Sequence, residues 1–198
     1  KTISDKLLMD NDTAISFFLE PTSTELSEVV VTGVTRVTEL KRNPVVVSIM
    51  DGVSFRQSSA SNLIDALKEI PGVSQITSGP NISKPVIRGL GYNRIITLNN
   101  GIKQEGQQWG DEHGIEIDEY AINRAEIVKG PGSLLYGSDG IAGVLNFLPP
   151  KPPELGIVKT QLLTNYQSNN NQIAYSISNA GNKNGFQWMV GFTNKFAG

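Results

Sequence analysis

The side chains able to do chemistry gather in one stretch of this 198-residue chain. Asp111, Glu112, His113, Glu116 and Asp118 set one imidazole among four carboxylates, a donor set suited to zinc, iron or manganese. Within it, His113, Asp111 and Glu112 are the sharpest metal candidates. Just ahead, Gln107, Gln108 and Trp109 offer a ring face and two amides that can stack on and hydrogen-bond a ring-containing ligand. A plain acidic loop in solvent fits the same residues. His113 is the sole histidine, so a metal here would find a single nitrogen donor.

Catalytic readings fail on spacing. A Ser-His-Asp hydrolase needs its histidine beside the nucleophile, and Gly137-Ser138-Asp139-Gly140 is not a nucleophile elbow. A phosphate loop needs a lysine that closes the glycine run and opens a helix, whereas Lys129 precedes its glycines. With no cysteine, thiolate catalysis, disulfides and cysteine zinc sites drop out together. The reading is a non-enzyme with no cofactor. A net charge of −2 also argues against a nucleic-acid partner, which calls for a clustered basic surface.

Arg88, Arg94, Arg124 and Glu126 sit in or beside apolar runs. Burying an arginine is costly unless it is paired, and its planar fork suits carboxylates. Solvated charges on an edge strand are the alternative.

The elements that must position these groups are short. Val45 to Met50 reads as a strand bounded by Pro44 and Asp51-Gly52. Ser58 to Ile70 reads as a helix, with Ser58 or Ser59 as cap, a stripe of Leu63, Ile64, Leu67 and Ile70, and a stop at Pro71-Gly72. Pro85 to Arg88, Arg94 to Leu98, Ile122 to Lys129 and Val144 to Leu148 read as strands. Asn100-Gly101 is a tight-turn signal, and Ser133 to Tyr136 suggests one helical turn. These pieces fit one small sheet with short helices.

The prolines from Pro149 to Pro153 mark a boundary. Beyond it, Ile157 to Tyr166, Gln172 to Asn179 and Phe186 to Lys195 alternate apolar with polar residues, the third through Phe186, Trp188, Val190 and Phe192. Transmembrane barrel strands need that alternation, and a half-buried soluble sheet gives it too. No apolar run is long enough for a transmembrane helix. The chain opens on Lys1 without a leader and reads as a mature or truncated product. Near the start, Glu28, Val29, Val30, Val31 and Thr32 favour an extended backbone. That segment can add to a partner's sheet edge or be an ordinary buried strand.

Taken in order, Leu63-Ile64-Asp65-Ala66-Leu67-Lys68-Glu69-Ile70-Pro71-Gly72-Val73, Ile87-Arg88-Gly89, Arg124-Ala125-Glu126-Ile127-Val128-Lys129-Gly130-Pro131-Gly132 and Gly143-Val144-Leu145-Asn146-Phe147 resemble the plug domain of TonB-dependent outer-membrane receptors. The resemblance implies an α+β plug, a small mixed sheet with short helices, followed by antiparallel strands of an incomplete transmembrane β-barrel. It divides the chain into four parts. Residues 1–24 resemble the end of a preceding carboxypeptidase-regulatory-like module of Bacteroidota receptors. Residues 25–43 are a linker carrying a TonB-box-like segment, 44–148 the plug, and 149–198 a Pro-rich hinge with the first barrel strands.

The function implied is TonB-energised uptake of a metal chelate or siderophore, haem or cobalamin across the outer membrane of a Gram-negative bacterium. The N-terminus would be periplasmic, and the partners would be TonB, the chain's own barrel, lipid and the small substrate. Glu28 to Thr32 would contact TonB, and Arg88, Arg124 and Glu126 would face barrel-wall charges. The Gln104–Glu119 loop would face substrate through Gln107, Gln108, Trp109, Asp111, Glu112 and His113. A soluble periplasmic module of plug-like fold is the alternative.

Overall fold

A computed structural model of the chain describes residues 30–31, 38–39, 46–58, 60–79, 82–105 and 114–197. The expected module at 1–24 lies outside them. Two short strands, β1 (Val30–Val31) and β2 (Thr38–Glu39), pair antiparallel.

Five strands form a mixed sheet: β3 (Val47–Asp51), β7 (Ile95–Asn99), β8 (Ile102–Lys103), β9 (Arg124–Lys129) and β10 (Gly143–Leu148). The spatial order is β3-β9-β10-β7-β8, and only the β10–β7 pair is parallel. Along β9 and β10 nearly every residue is buried, because the sheet is covered on both faces. One face presents Ile95, Ala125, Ile127, Leu145 and Phe147 to the main core. The other packs Ile96, Leu98, Val128 and Val144 against Val47 and Tyr136. Between β7 and β8, Asn100 and Gly101 take φ of 51° and 80°, the left-handed pair that a two-residue primed turn requires.

The helix expected over Ser58 to Ile70 is confined to Leu63–Leu67, capped by Asn62 rather than by Ser58 or Ser59, and a separate short helix precedes it. Helix α1 (Gly52–Gln57) begins at the Asp51-Gly52 boundary of the first expected strand. Asp51 caps it by accepting the Ser54 N–H at 2.7 Å, and Ser58 closes its C-terminus. Gly52 is required there, since a Cβ would stand 2.9 Å from the Asn123 carbonyl. Helix α2 (Leu63–Leu67) starts at Asn62, whose side chain accepts the Asp65 N–H at 3.0 Å. The stripe of Leu63, Ile64, Leu67 and Ile70 enters the main core as the spacing predicts.

A second, three-stranded antiparallel sheet holds β4 (Val73–Gly79), β5 (Ile82–Ile87) and β6 (Leu90–Gly91). After residues 149–157, a third antiparallel sheet follows, of β11 (Val158–Gln167), β12 (Gln172–Lys183) and β13 (Phe186–Phe196). All three strands are about as long as a bilayer crossing needs. Its outer face carries two cross-strand rows, Leu162–Ile177–Phe192 and Tyr166–Ile173–Phe196, with all six side chains exposed. The inner face carries Ala174, Ser176, Thr193 and Lys195, against the mixed-sheet domain. No helix among the described residues is long and apolar enough to cross a membrane.

Candidate functional site

The loop with most of the candidate ligands, Gln107, Gln108, Trp109, Asp111, Glu112 and His113, lies outside the described residues. So do Glu28, Val29 and Thr32 of the β-branched segment. Among the described residues, no group of three or more histidine, cysteine, aspartate or glutamate side chains could hold a metal.

The arginines divide. Arg124 pairs at 2.9 Å with Glu126, two residues along the same strand and therefore on the same face, and the Glu126 side chain is fully buried. Arg88 is exposed and takes φ of 52° in the Arg88-Gly89 turn joining β5 to β6. Close by, Lys129 is buried and donates to the Pro71 carbonyl at 2.6 Å. Burial, with the Arg88 guanidinium as a second cause, holds the Lys129 amine below its ordinary range. Arg94 is exposed at the end of a 3-10 turn.

The most concentrated polar chemistry forms where the undescribed loop returns to the sheet. Ile115 and Ile117 pack onto the main core, and the chain then makes a 3-10 turn over Glu119–Ala121. Asp118 caps that turn: Oδ1 accepts the Tyr120 N–H at 3.0 Å. Its other oxygen, Oδ2, accepts the Thr193 hydroxyl of β13 at 2.6 Å. Thr193 Oγ1 also lies 2.8 Å from Ser176 Oγ on β12. A threonine has one hydroxyl proton, so Ser176 supplies the proton of that second bond. The result is a relay from Ser176 through Thr193 to a carboxylate, each bond polarising the next.

One turn-residue further on, Glu119 forms an ion pair with Lys195, two residues past Thr193 on the same inner face. The Lys195 ammonium also lies 5.8 Å from the Tyr120 ring centroid. Burial and the charges of Glu119 and Asp118 push the Tyr120 phenol up to about 12. A further bond runs from Gln167 Nε2 on β11 to the Ala60 carbonyl at 2.8 Å. These contacts between the domain and the last sheet are polar, and three of them involve a charged group.

Two cavities flank this contact. One of about 460 Å³ is lined by Asn62, Ser83, Glu116, Thr193 and Lys195 among others. The other, of about 610 Å³, lies between Tyr120, Pro149–Lys151 and the inner face at Ser176 and Ser178. Glu116, Ile117 and Asp118 border both.

Sequence reasoning placed Asp118 among possible metal ligands, and both its oxygens are engaged otherwise. It did not single out Glu119, Thr193 or Lys195 as a contact. The available signal was a lysine on the polar side of an alternating strand.

Comparison with known proteins gives a consistent picture. The family profile described as TonB-dependent Receptor Plug Domain matches residues 39–144. An iron-regulated outer membrane virulence protein of Vibrio cholerae is 32% identical over 163 residues, covering 79% of this chain and 25% of that protein. A hemin receptor of Yersinia pestis is 33% identical over 105 residues, covering 52% of this chain and 15% of the receptor. Among solved structures, the pyoverdine outer membrane receptor of Pseudomonas aeruginosa superposes with a TM-score of 0.64 at 19% identity, over 77% of this chain and 22% of that one. The ferric enterobactin receptor of the same organism gives 0.62 at 16%, over 79% and 25%. The chain thus spans at most about a quarter of the length of these four proteins, and the structural likeness is one of fold.

Proposed function

The chain belongs to the TonB-dependent receptor plug-domain family, and on that premise we propose that it is the gate and first wall strands of an outer-membrane importer. The supporting observation is the sequence of two architectures. A mixed sheet buried on both faces is followed by three long antiparallel strands with bare Leu162, Ile177 and Phe192 outside and Ser176 and Thr193 inside. Lipid requires the first face and a filled pore tolerates the second. No catalytic step belongs to this reading.

The substrate class is a metal chelate, siderophore, haem or cobalamin. It meets the loop bearing Gln107, Gln108, Trp109, Asp111, Glu112 and His113 on the external side. Binding shifts the population of the periplasmic end so that Glu28 to Thr32 becomes available. TonB then adds that segment to its own sheet and draws the plug aside. Arg88 and the partly exposed Arg124 meet wall charges as the plug sits in the pore, and the buried Glu126 holds Arg124 from within. Residues 25–43 serve as the linker and 149–157 as the hinge between plug and wall.

The deciding experiment measures uptake of ferric siderophores, haem and cobalamin by cells carrying the whole receptor, with and without TonB. Uptake of one substrate that vanishes without TonB supports the reading; uptake indifferent to TonB for all of them overturns it. Substrate binding by His113→Ala and Trp109→Ala receptors then separates metal contact from ring stacking in the external loop.

A further inference from the structure

The Asp118–Glu119 turn stands between two cavities that both border the inner face of the barrel hairpin. Asp118 lines both. Thr193 and Lys195 line the first, and Ser176 lines the second. The partition between them includes the hydrogen-bond relay Ser176–Thr193–Asp118 and the ion pair Lys195–Glu119.

We propose that this partition is a side gate: the two cavities are the halves of one hydrated seam between plug and wall, and opening the partition joins them into a path for small ions. The inference rests on the transporter reading and goes beyond it, because a plug drawn aside as a body needs no such local path.

Three observations support it. The bonds that join the turn to the wall are made by side chains, so rotamer changes at Thr193 and Lys195 part the two without breaking any strand ladder. Its bonds are polar on both sides, so water can replace each of them as it breaks. A dry apolar seal would instead lose its contacts outright. The main core, by contrast, is sealed by Leu67, Ile87, Leu145 and Phe147, all fully buried. The weak line through this part of the molecule therefore runs along the hairpin.

The test uses the whole receptor reconstituted in a planar bilayer bathed in potassium chloride. One variant combines Glu119→Ala with Thr193→Val; a second combines Asp118→Cys with Thr193→Cys. The first is expected to conduct several-fold more than the wild type. The second is expected to conduct when reduced and to fall back to the wild-type level when oxidised. That reversal within one preparation separates gating from misfolding. Conductance at the wild-type level in both variants, with TonB-driven uptake retained, would overturn the side gate and leave the importer standing. A wild-type receptor without TonB-dependent uptake would instead overturn the importer, and the side gate with it.

Discussion

Arg124 and Glu126 hold an ion pair at 2.9 Å along one face of β9, and the carboxylate is fully buried while the guanidinium keeps partial access to solvent. The pair sits on the strand between the edge strand β3 and the parallel pair β10–β7. Breaking a buried pair on one side costs more than replacing both partners, because the remaining charge stays desolvated.

Arg124→Met is therefore expected to destabilise the plug by about 3 kcal/mol. The double change Arg124→Met with Glu126→Gln is expected to recover part of that loss. Urea titration of the intact receptor, with a fluorophore on the plug, checks both. Equal midpoints for the single variant and the wild type would remove the pair from the stability account.

Val30→Pro is expected to abolish TonB-driven uptake while external binding stays intact, because proline removes a ladder donor from the segment that TonB must pair. Parallel uptake and binding assays on whole cells check it. Loss of binding along with uptake would count against placing the TonB contact at Glu28 to Thr32.

Ile177 faces outward between Leu162 and Phe192, and Ser178 beside it faces inward. Ile177→Lys is expected to cost about 2–4 kcal/mol of folding into a bilayer if the row sits near the midplane. Ser178→Lys is expected to cost little. The folded fraction in lipid vesicles across a denaturant series reads the difference, and equal costs would contradict a lipid-facing row.

The Tyr120 phenol, held up to about 12 by burial and by Glu119 and Asp118, titrates above the ordinary value of 10.0. A group that keeps its proton longer in the folded state contributes stability below the unfolded value and loses it as pH rises toward the folded one. The contact between the Glu119–Ala121 turn and β13 is therefore expected to weaken between pH 10.0 and about 12. Difference absorbance of the receptor against Tyr120→Phe checks it. A tyrosinate that forms with an ordinary midpoint would show that the ring is not held as described.

Much of this fold was legible because its signals are local. Asn100-Gly101 demands positive φ at two adjacent residues, and no other short motif between two apolar runs does so as cheaply. The Leu63, Ile64, Leu67 and Ile70 stripe fixes a buried helical face at its own spacing. The later start of helix α2 was missed because Ser58 and Asn62 are both competent caps. Which end each one closes depends on Asn123 and Ser83, far away in the chain. Glu119, Thr193 and Lys195 were missed for a related reason: the partners are separated by 75 and 76 positions, and periodicity carries no information at that range. Substrate chemistry was the least legible, since the loop at 106–113 carries mixed donors and no spacing that selects one ligand.

The edge position of β3 has a mechanical consequence. Among the described residues its one ladder neighbour is β9, and the Val46 carbonyl just ahead of it accepts the Lys129 N–H at 3.1 Å. Tension applied to the chain before Val46 loads that bond first and then β3, while β9, β10, β7 and β8 stay joined to one another. The strand closest to the pulling end is thus the one whose departure breaks a single ladder. A tug transmitted from the N-terminal side is expected to peel β3 from β9 before any ladder among the remaining four strands opens.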